Sequence, residues 1–341
     1  MVDFAGWNMP VQYAGILEEH RAVRSSCGVF DISHMGEFLV RGPQAASWLD
    51  RILSNRASSL DVGKAHYSIL LNEQGGVIDD LYVYRIRELD FLLVVNASKA
   101  EEDAAWMSGR SEEGMTFENS SNIYGALAVQ GPRSPDVFKA CFGRTLPAEK
   151  NSVMELSRGD SELWIATTGY TGEVGFEVIC RNAEISGLWE ALLLAGCVPC
   201  GLGARDVLRL EMGYPLNGSD LAPDRSPLEA GLGFAIDLQK DDFIGRQALL
   251  DQKEAGLPTR LSGLVVEGKS PPIRSHYPIW HSNSIVSETT SGGLSPSLGT
   301  AIAMAYLPRD ISTPGTSLEI DVRGRMYPAK VIKKPFIPKK L

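Results

Sequence analysis

The sequence is poor in the features that mark several large functional classes. Positive charge is not in excess: 33 Lys and Arg stand against 42 Asp and Glu, a formal net charge of -9. No field favours a polyanion, so nucleic acid is not an expected partner. Basic residues are scattered except in the tail "KKPFIPKKL", which reads as a solvated end. Cysteine is scarce and odd in number, five in 341 residues; that is no disulfide framework and points to a reducing compartment. The pair Cys197-Val-Pro-Cys200 lacks a thioredoxin-like setting and two further zinc ligands, so packing is its expected role. His20, His34, His66, His276 and His281 form no helical pair and have no neighbouring cysteine ligand, so no metal is expected. Nowhere do eighteen uncharged apolar residues run together, and "MVDFAGWNMP" has no basic and apolar leader. No membrane is expected, and the cytoplasm is the expected location.

What is present is the composition of an ordinary globular protein, 44% apolar and 22% charged, long enough for two to three domains. Helical spacing predicts a helix over Ala14 to Ser26, stopped by Gly28, and a second in "PQAASWLDRIL" with proline in its first turn. From Ala65 to Ala97 the pattern becomes a β-meander of "AHYSILL", "VIDDLYVYRI" and "FLLVVNA". "ELWIATT" and "GFEVIC" form a hairpin around "GYTGEV". Helices follow in "AEISGLWEALLLAG", "GLGARDVLRLEMG" and "DDFIGRQALLDQKEAG", the last capped by Asp242 and stopped by Gly256. After Pro258 short apolar segments alternate with turn-rich stretches, the texture of a small β-barrel or sandwich.

Two carboxylates sit inside the apolar run "VIDDLYVYRI". Strand alternation puts Asp80 on one face with Ile78, Tyr82 and Tyr84, and Asp79 on the other with Val77, Leu81 and Val83. The two acids are thus not a proton-sharing dyad or a chelating pair. Burying an unpaired carboxylate costs several kcal/mol, so each needs a donor or a cavity. Asp79 is expected to pair with an arginine or cap a turn; Asp80 either does the same or borders a cavity. Gly169, Gly172 and Gly175 in "TTGYTGEVGFE" are no phosphate loop, since they lead into another strand without a lysine, and "GLGARD" lacks the third glycine of a dinucleotide fingerprint. Glu177 and Arg205 are each compatible with a structural role. Together they can also bind opposite ends of a ligand carrying a donor edge and an acid.

The motifs "DFAGWNMPVQY", "EHRAVRSSCGVFDISHMGEF", "NEQGGVIDDLYVYR", "VVNAS", "AVQGP", "TTGYTGEVGFE", "PCGLGARDVLRLEMGYPL", "EAGLGF", "FIGRQAL", "TSGGLSPSLGTAIAMAYLP" and "KKPF" occur in order over nearly the whole chain. Read together, they resemble the T protein (aminomethyltransferase) family of the glycine cleavage system. The resemblance implies an α+β, three-lobed cloverleaf with mixed and antiparallel sheets around a folate cavity. Residues 1–257 would form two intertwined folate-binding lobes, and residues 258–341 a C-terminal β-barrel. It implies transfer of a methylene group from the aminomethyl-dihydrolipoyl arm of lipoylated H protein to the cosubstrate tetrahydrofolate, with release of ammonia and formation of 5,10-methylenetetrahydrofolate. Asp80 falls on the family's essential aspartate, Glu177 on the acid that holds the pterin, and Arg205 and Tyr170 on the folate site. Met35, Tyr67, Tyr84 and Asn96 match positions associated with the cavity.

The family pattern also carries a short segment ahead of "MVDFAGW", whose loss is expected to lower stability or activity. Asn217, Ser219 and Ser287 depart from frequent family residues with local effects only. A non-catalytic folate-binding protein of the same superfold is the alternative reading, and "DDFIGRQAL" lacks the Lys-Gly-Cys-Tyr-x-Gly-Gln type signature of those proteins.

Overall fold

A computed structural model describes residues 1–158 and 161–338. Its first sheet grows from the meander: Ala65–Leu71, Val77–Arg87 and Asp90–Val95 pair in sequence order, followed by Gly36–Arg41 and Thr116–Asn119, all antiparallel. The second sheet runs Val153–Arg158, Ser161–Ala166, Gly175–Arg181, Tyr124–Gln130, Gly28–Asp31 and Val198–Pro199, with only the last pair parallel. The chain enters the second sheet at Gly28, builds the first, and returns at Tyr124, so the two sheets interleave in sequence.

Each sheet covers its outer face with helices. Ala45–Ile52 and Ala100–Ser108 pack Trp48, Leu49, Ile52 and Met107 against Phe38, Val40, Leu81, Val83 and Leu93 of the first sheet. Ser134–Phe142 and Asn182–Leu194 do the same for the second with Val137, Phe138, Leu188 and Leu192. The inner faces meet through Phe30, Leu39, Tyr84, Leu92, Ala128, Trp164 and Ile179, joined by Ala204 and Leu208 of the helix Leu202–Glu211. Among the described residues no helix is long and apolar enough to cross a membrane.

From Thr259 the chain forms a closed six-stranded barrel, in the order Thr259–Val266, Thr300–Pro308, Ser284–Ser295, Pro278–His281, Ser317–Val322 and Arg325–Ile332. "TAIAMAYLP" reads as a continuous apolar run because both of its faces are buried. Ala301, Ala303, Ala305 and Leu307 fill the barrel. Ile302, Met304 and Tyr306 pack outward on Ile69, Leu71, Val77 and Leu221 and so bind the barrel to the first sheet.

Several local expectations change. The helix expected from Asp242 begins at Arg246. Asp242 instead accepts the amide of Phe243 at 2.9 Å while Phe243 buries itself. Gly245, at φ 84°, makes the entry, because a Cβ there would lie 2.7 Å from the carbonyl oxygen of Asn72. Pro43 precedes its helix, which starts at Ala45. Cys197 faces Cys27, with the sulfurs 3.4 Å apart, rather than Cys200. The tail is not simply a solvated end: Phe336 is 7% exposed, its amide donates to the Glu211 carbonyl, and burial lowers the Lys334 ammonium pKa to about 8. Residues 339–341 of that tail lie outside the described residues.

Candidate functional site

The strand Val77–Arg87 carries a bulge at its start. Leu71 pairs with Val77 and Leu70 with Asp79, so Ile78 is the extra residue. Ile78 therefore packs with Leu81 and Val83 on the helix-covered side, not beside Asp80 as simple alternation predicts. Beyond the bulge the period of two holds, with Tyr82 and Tyr84 in the inter-sheet cluster on the face shared with Asp80.

Asp80 is held at both oxygens. The Tyr67 hydroxyl donates to Oδ2 at 2.7 Å, and the Asn96 amide donates to Oδ1 at 3.0 Å. Burial pushes its carboxyl above the ordinary range, while hydrogen bonds from Tyr67, Asn96 and Asn217 oppose that rise. Asp80 nevertheless remains only partly buried. Tyr67 stacks on Phe234, with centroids 6.0 Å apart, and meets Tyr82 edge-on at 5.7 Å; Phe234 itself is 73% exposed. That aromatic trio links the carboxylate to the surface.

A second acid comes from the other sheet. In Gly175–Arg181, Phe176 and Val178 point into the outer core, which turns Glu177 inward. Thr168 Oγ1 and the Tyr84 hydroxyl, the latter at 3.5 Å, donate to Glu177 Oε2. Burial raises the Glu177 pKa, offset by Thr168, the Arg205 charge and Tyr84. The turn that presents Thr168 is fixed by Gln130, whose Nε2 donates to the Thr168 carbonyl at 3.1 Å and whose Oε1 accepts from Thr171 at 2.8 Å. A Cβ at Gly169 would collide with the Gln130 side chain at 2.0 Å, which accounts for glycine there.

Arg205 comes from the first turns of Leu202–Glu211. Its guanidinium lies 4.9 Å from the Tyr170 ring centroid. Burial lowers its pKa, and among the described residues it forms no ion pair. One turn on, Arg209 is fully engaged with Asp206 at 2.7 Å, Asp220 at 3.0 Å, Ser291 at 2.9 Å and the Tyr214 carbonyl at 3.2 Å. Tyr170 donates to the Pro215 carbonyl and stacks on Tyr214; it lies within electrostatic reach of both Asp80 and Arg205.

The residues singled out in the sequence thus occur as three connected groups: Asp80 with Tyr67 and Asn96, Glu177 with Tyr84, and Arg205 with Tyr170. Met35 packs into the apolar inter-sheet cluster. Arg205 makes no hydrogen bond to Asp80.

Asp79 differs from expectation. It takes no arginine; Asn96 supplies its backbone N–H to Oδ2 at 3.0 Å and its amide to Oδ1 at 2.8 Å. The two aspartates therefore face opposite ways yet share one asparagine. Residues missed in the sequence include Thr168, Phe234, Gln130 and His34. The hydroxyl in "TTGYTG" was a visible signal; Phe234, Gln130 and His34 gave none without the fold. His34 is kept neutral, its pKa lowered to about 3 by burial and then by the Arg205 charge.

The donor set, two acids and a guanidinium with no ion pair among the described residues, next to apolar and aromatic side chains, suits a ligand with N–H donors at one end and an acid at the other. Among the described residues no cluster of His, Cys, Asp and Glu could hold a metal.

Comparison with known proteins gives matches over the full length. Residues 1–240 match the model described as GCVT N-terminal domain, and residues 259–337 the glycine cleavage T-protein C-terminal barrel domain. An aminomethyltransferase of Halothermothrix orenii is 43% identical over 99% of this chain and 96% of its own length. One from Listeria innocua is 42% identical over 98% and 93%. The crystal structure of glycine cleavage system aminomethyltransferase T from Bartonella henselae superposes with TM-score 0.93 at 34% identity, covering 99% of this chain and 94% of that one.

Proposed function

The chain belongs to the glycine cleavage T-protein family, and from that premise we propose that the hollow between its sheets holds tetrahydrofolate with Asp80 at the reacting end. The activity is that of a tetrahydrofolate-dependent aminomethyltransferase of the glycine cleavage system, which moves a one-carbon unit to the folate and releases ammonia. We assign the carrier of the aminomethyl group as lipoylated H protein and the compartment as the cytoplasm.

Asp80 is the catalytic residue in this reading. Its carboxylate accepts a hydrogen bond from folate N10 and orients N5 toward the methylene carbon, acting by position and charge as much as by proton transfer. Tyr67 and Asn96 fix both oxygens, which limits the reorganisation needed when substrate arrives. Glu177, held by Thr168 and Tyr84, accepts from adjacent N–H groups of the pterin. Arg205 offers a guanidinium with no protein anion to the ligand's acid, or sets the field felt by Glu177 and Tyr170. Tyr170 and Met35 line the cavity. The folate supplies the nucleophilic nitrogen; the chain supplies orientation and electrostatics. We read residues 1–257 as the folate-binding region and residues 258–341 as the barrel that braces it.

The observation that carries this reading is the double anchoring of a partly accessible Asp80 by Tyr67 and Asn96. The test is ammonia release from aminomethylated H protein with and without tetrahydrofolate. Strong folate dependence is expected; release that ignores folate, or none at all, would refute it.

A further inference from the structure

Behind Asp80, on the helix-covered face of the same strand, lie two carboxyls that the proposed reaction does not use. Asp79 is fully buried, and both of its oxygens are occupied by Asn96. Asp103, on Ala100–Ser108, is also fully buried, and neither of its oxygens meets an N–H or O–H donor. Its helix packs Ala104 and Met107 against Leu81 and Val83, on the face of the strand that carries Asp79, and the two carboxyls interact there. The charged groups around them are few. On the helix, Lys99 is bound to Glu102 at 2.8 Å; on the strand there is Asp80 itself. Among the described residues no cation forms an ion pair with either carboxyl; the Lys99 charge acts on Asp103 from a distance.

Two adjacent interior carboxylates cannot both ionise cheaply, so a proton must sit between them. We propose that Asp79 and Asp103 are a proton-sharing pair that positions Asn96 and, through it, the carboxylate of Asp80. The geometry gives the route. A protonated Asp79 donates to Asp103 while its two oxygens still accept from Asn96. The Asn96 amide is then aimed at both the Oδ1 and the backbone carbonyl of Asp80, each at 3.0 Å. Asp79 and Asp103 are positioning residues; neither is read as touching substrate.

The direction of the titration follows. Burial, above all, raises the Asp103 pKa to about 7 and that of Asp79 well above its ordinary value. Below that pH the pair is neutral. As pH rises through it, a negative charge appears behind Asn96 and raises the proton affinity of Asp80. Turnover should therefore carry an inflection near neutrality that originates at Asp103 and reaches Asp80 through Asp79 and Asn96. This rests on Asp80 being catalytic, so its test is read in two independent ways.

The first reading is carboxyl ¹³C NMR of the intact chain labelled at aspartate. One resonance should titrate near pH 7 and disappear in Asp103→Asn. The second is kinetic. In Asp103→Asn and Asp103→Leu, turnover at pH 7 should fall about tenfold, the tetrahydrofolate KM should stay within about twofold, and the neutral inflection should vanish. A purely structural role would lower stability but leave the shape of the pH profile unchanged. Folded variants with a wild-type kcat–pH profile would overturn the proposal. If neither variant folds, the wild-type spectrum decides alone, and absence of any aspartate titrating between about pH 6 and 8 overturns it. Loss of folate-dependent activity in the unaltered chain would instead sink the catalytic reading and leave the NMR result standing.

Discussion

Inside the barrel the buried side chains are Leu264, Val266, Ile279, Ala303, Ala305, Leu307, Ile320 and others of the same apolar kind. Between the two sheets, apolar residues share the space with Asp80, Glu177, Arg205, His34 and Glu37. Each square ångström of apolar surface buried in either place stabilises by about 25 cal/mol, whereas each buried ionisable group costs free energy unless it is paired. The barrel interior holds no such groups among the described residues of that cluster. The inter-sheet space carries ionisable groups that weaken the fold, a pattern that marks it as a candidate site. Arg209 and Arg205 repeat the comparison within one helix: the first is saturated with partners where helix and barrel meet, and the second forms no ion pair among the described residues.

The largest effect expected from breaking this contrast is at Arg209. Arg209→Met strands Asp220, itself fully buried, and should destabilise the fold by about 3–5 kcal/mol in denaturant titrations. Arg205→Met removes a cation with no ion partner and should change stability by less than about 1 kcal/mol, yet weaken tetrahydrofolate binding roughly 10–100-fold by calorimetry. Unchanged affinity would make Arg205 a bystander.

Glu37 sharpens the comparison in the other direction. It is fully buried, neither carboxylate oxygen has a partner, and burial raises its pKa to about 9. A raised folded-state pKa means its stability contribution is complete below the unfolded value and is lost as pH rises toward 9. Glu37→Met should therefore be more stable than the parent at pH 8, on the order of 2 kcal/mol, with the gap closing below about pH 5. Equal melting at both pH values would show that the site is wetter than the geometry implies. The smallest effect is on the barrel exterior, where Met326→Lys, at a 39% exposed position, should stay within about 0.5 kcal/mol.

Much of this was legible in the sequence for definite reasons. The meander declared itself by its period of two and by "NEQGG" and "RELD", and Gly256 marked its helix end through its left-handed backbone, φ 84°. Asp80, Glu177 and Arg205 stood out because charge inside an apolar pattern demands an explanation. What stayed hidden depends on contacts distant in sequence. The bulge at Ile78 is set by pairing with Leu70 and Leu71, and the start at Arg246 by the approach of Gly245 to Asn72. Asp103 drew no reading from the sequence; only the packing of its helix on the sheet removes it from water. Phe336 in the basic tail misled for the same reason, since its burial depends on contacts near Gly263.

The central claim is that the anchored carboxylate at Asp80 drives the chemistry without being the main source of ligand affinity. The decisive measurement is single-turnover ammonia release by Asp80→Asn alongside its tetrahydrofolate Kd. The account predicts a rate at least about a thousandfold below the parent with Kd changed less than about fivefold. Near-parental release, or loss of rate matched by loss of binding, would contradict it.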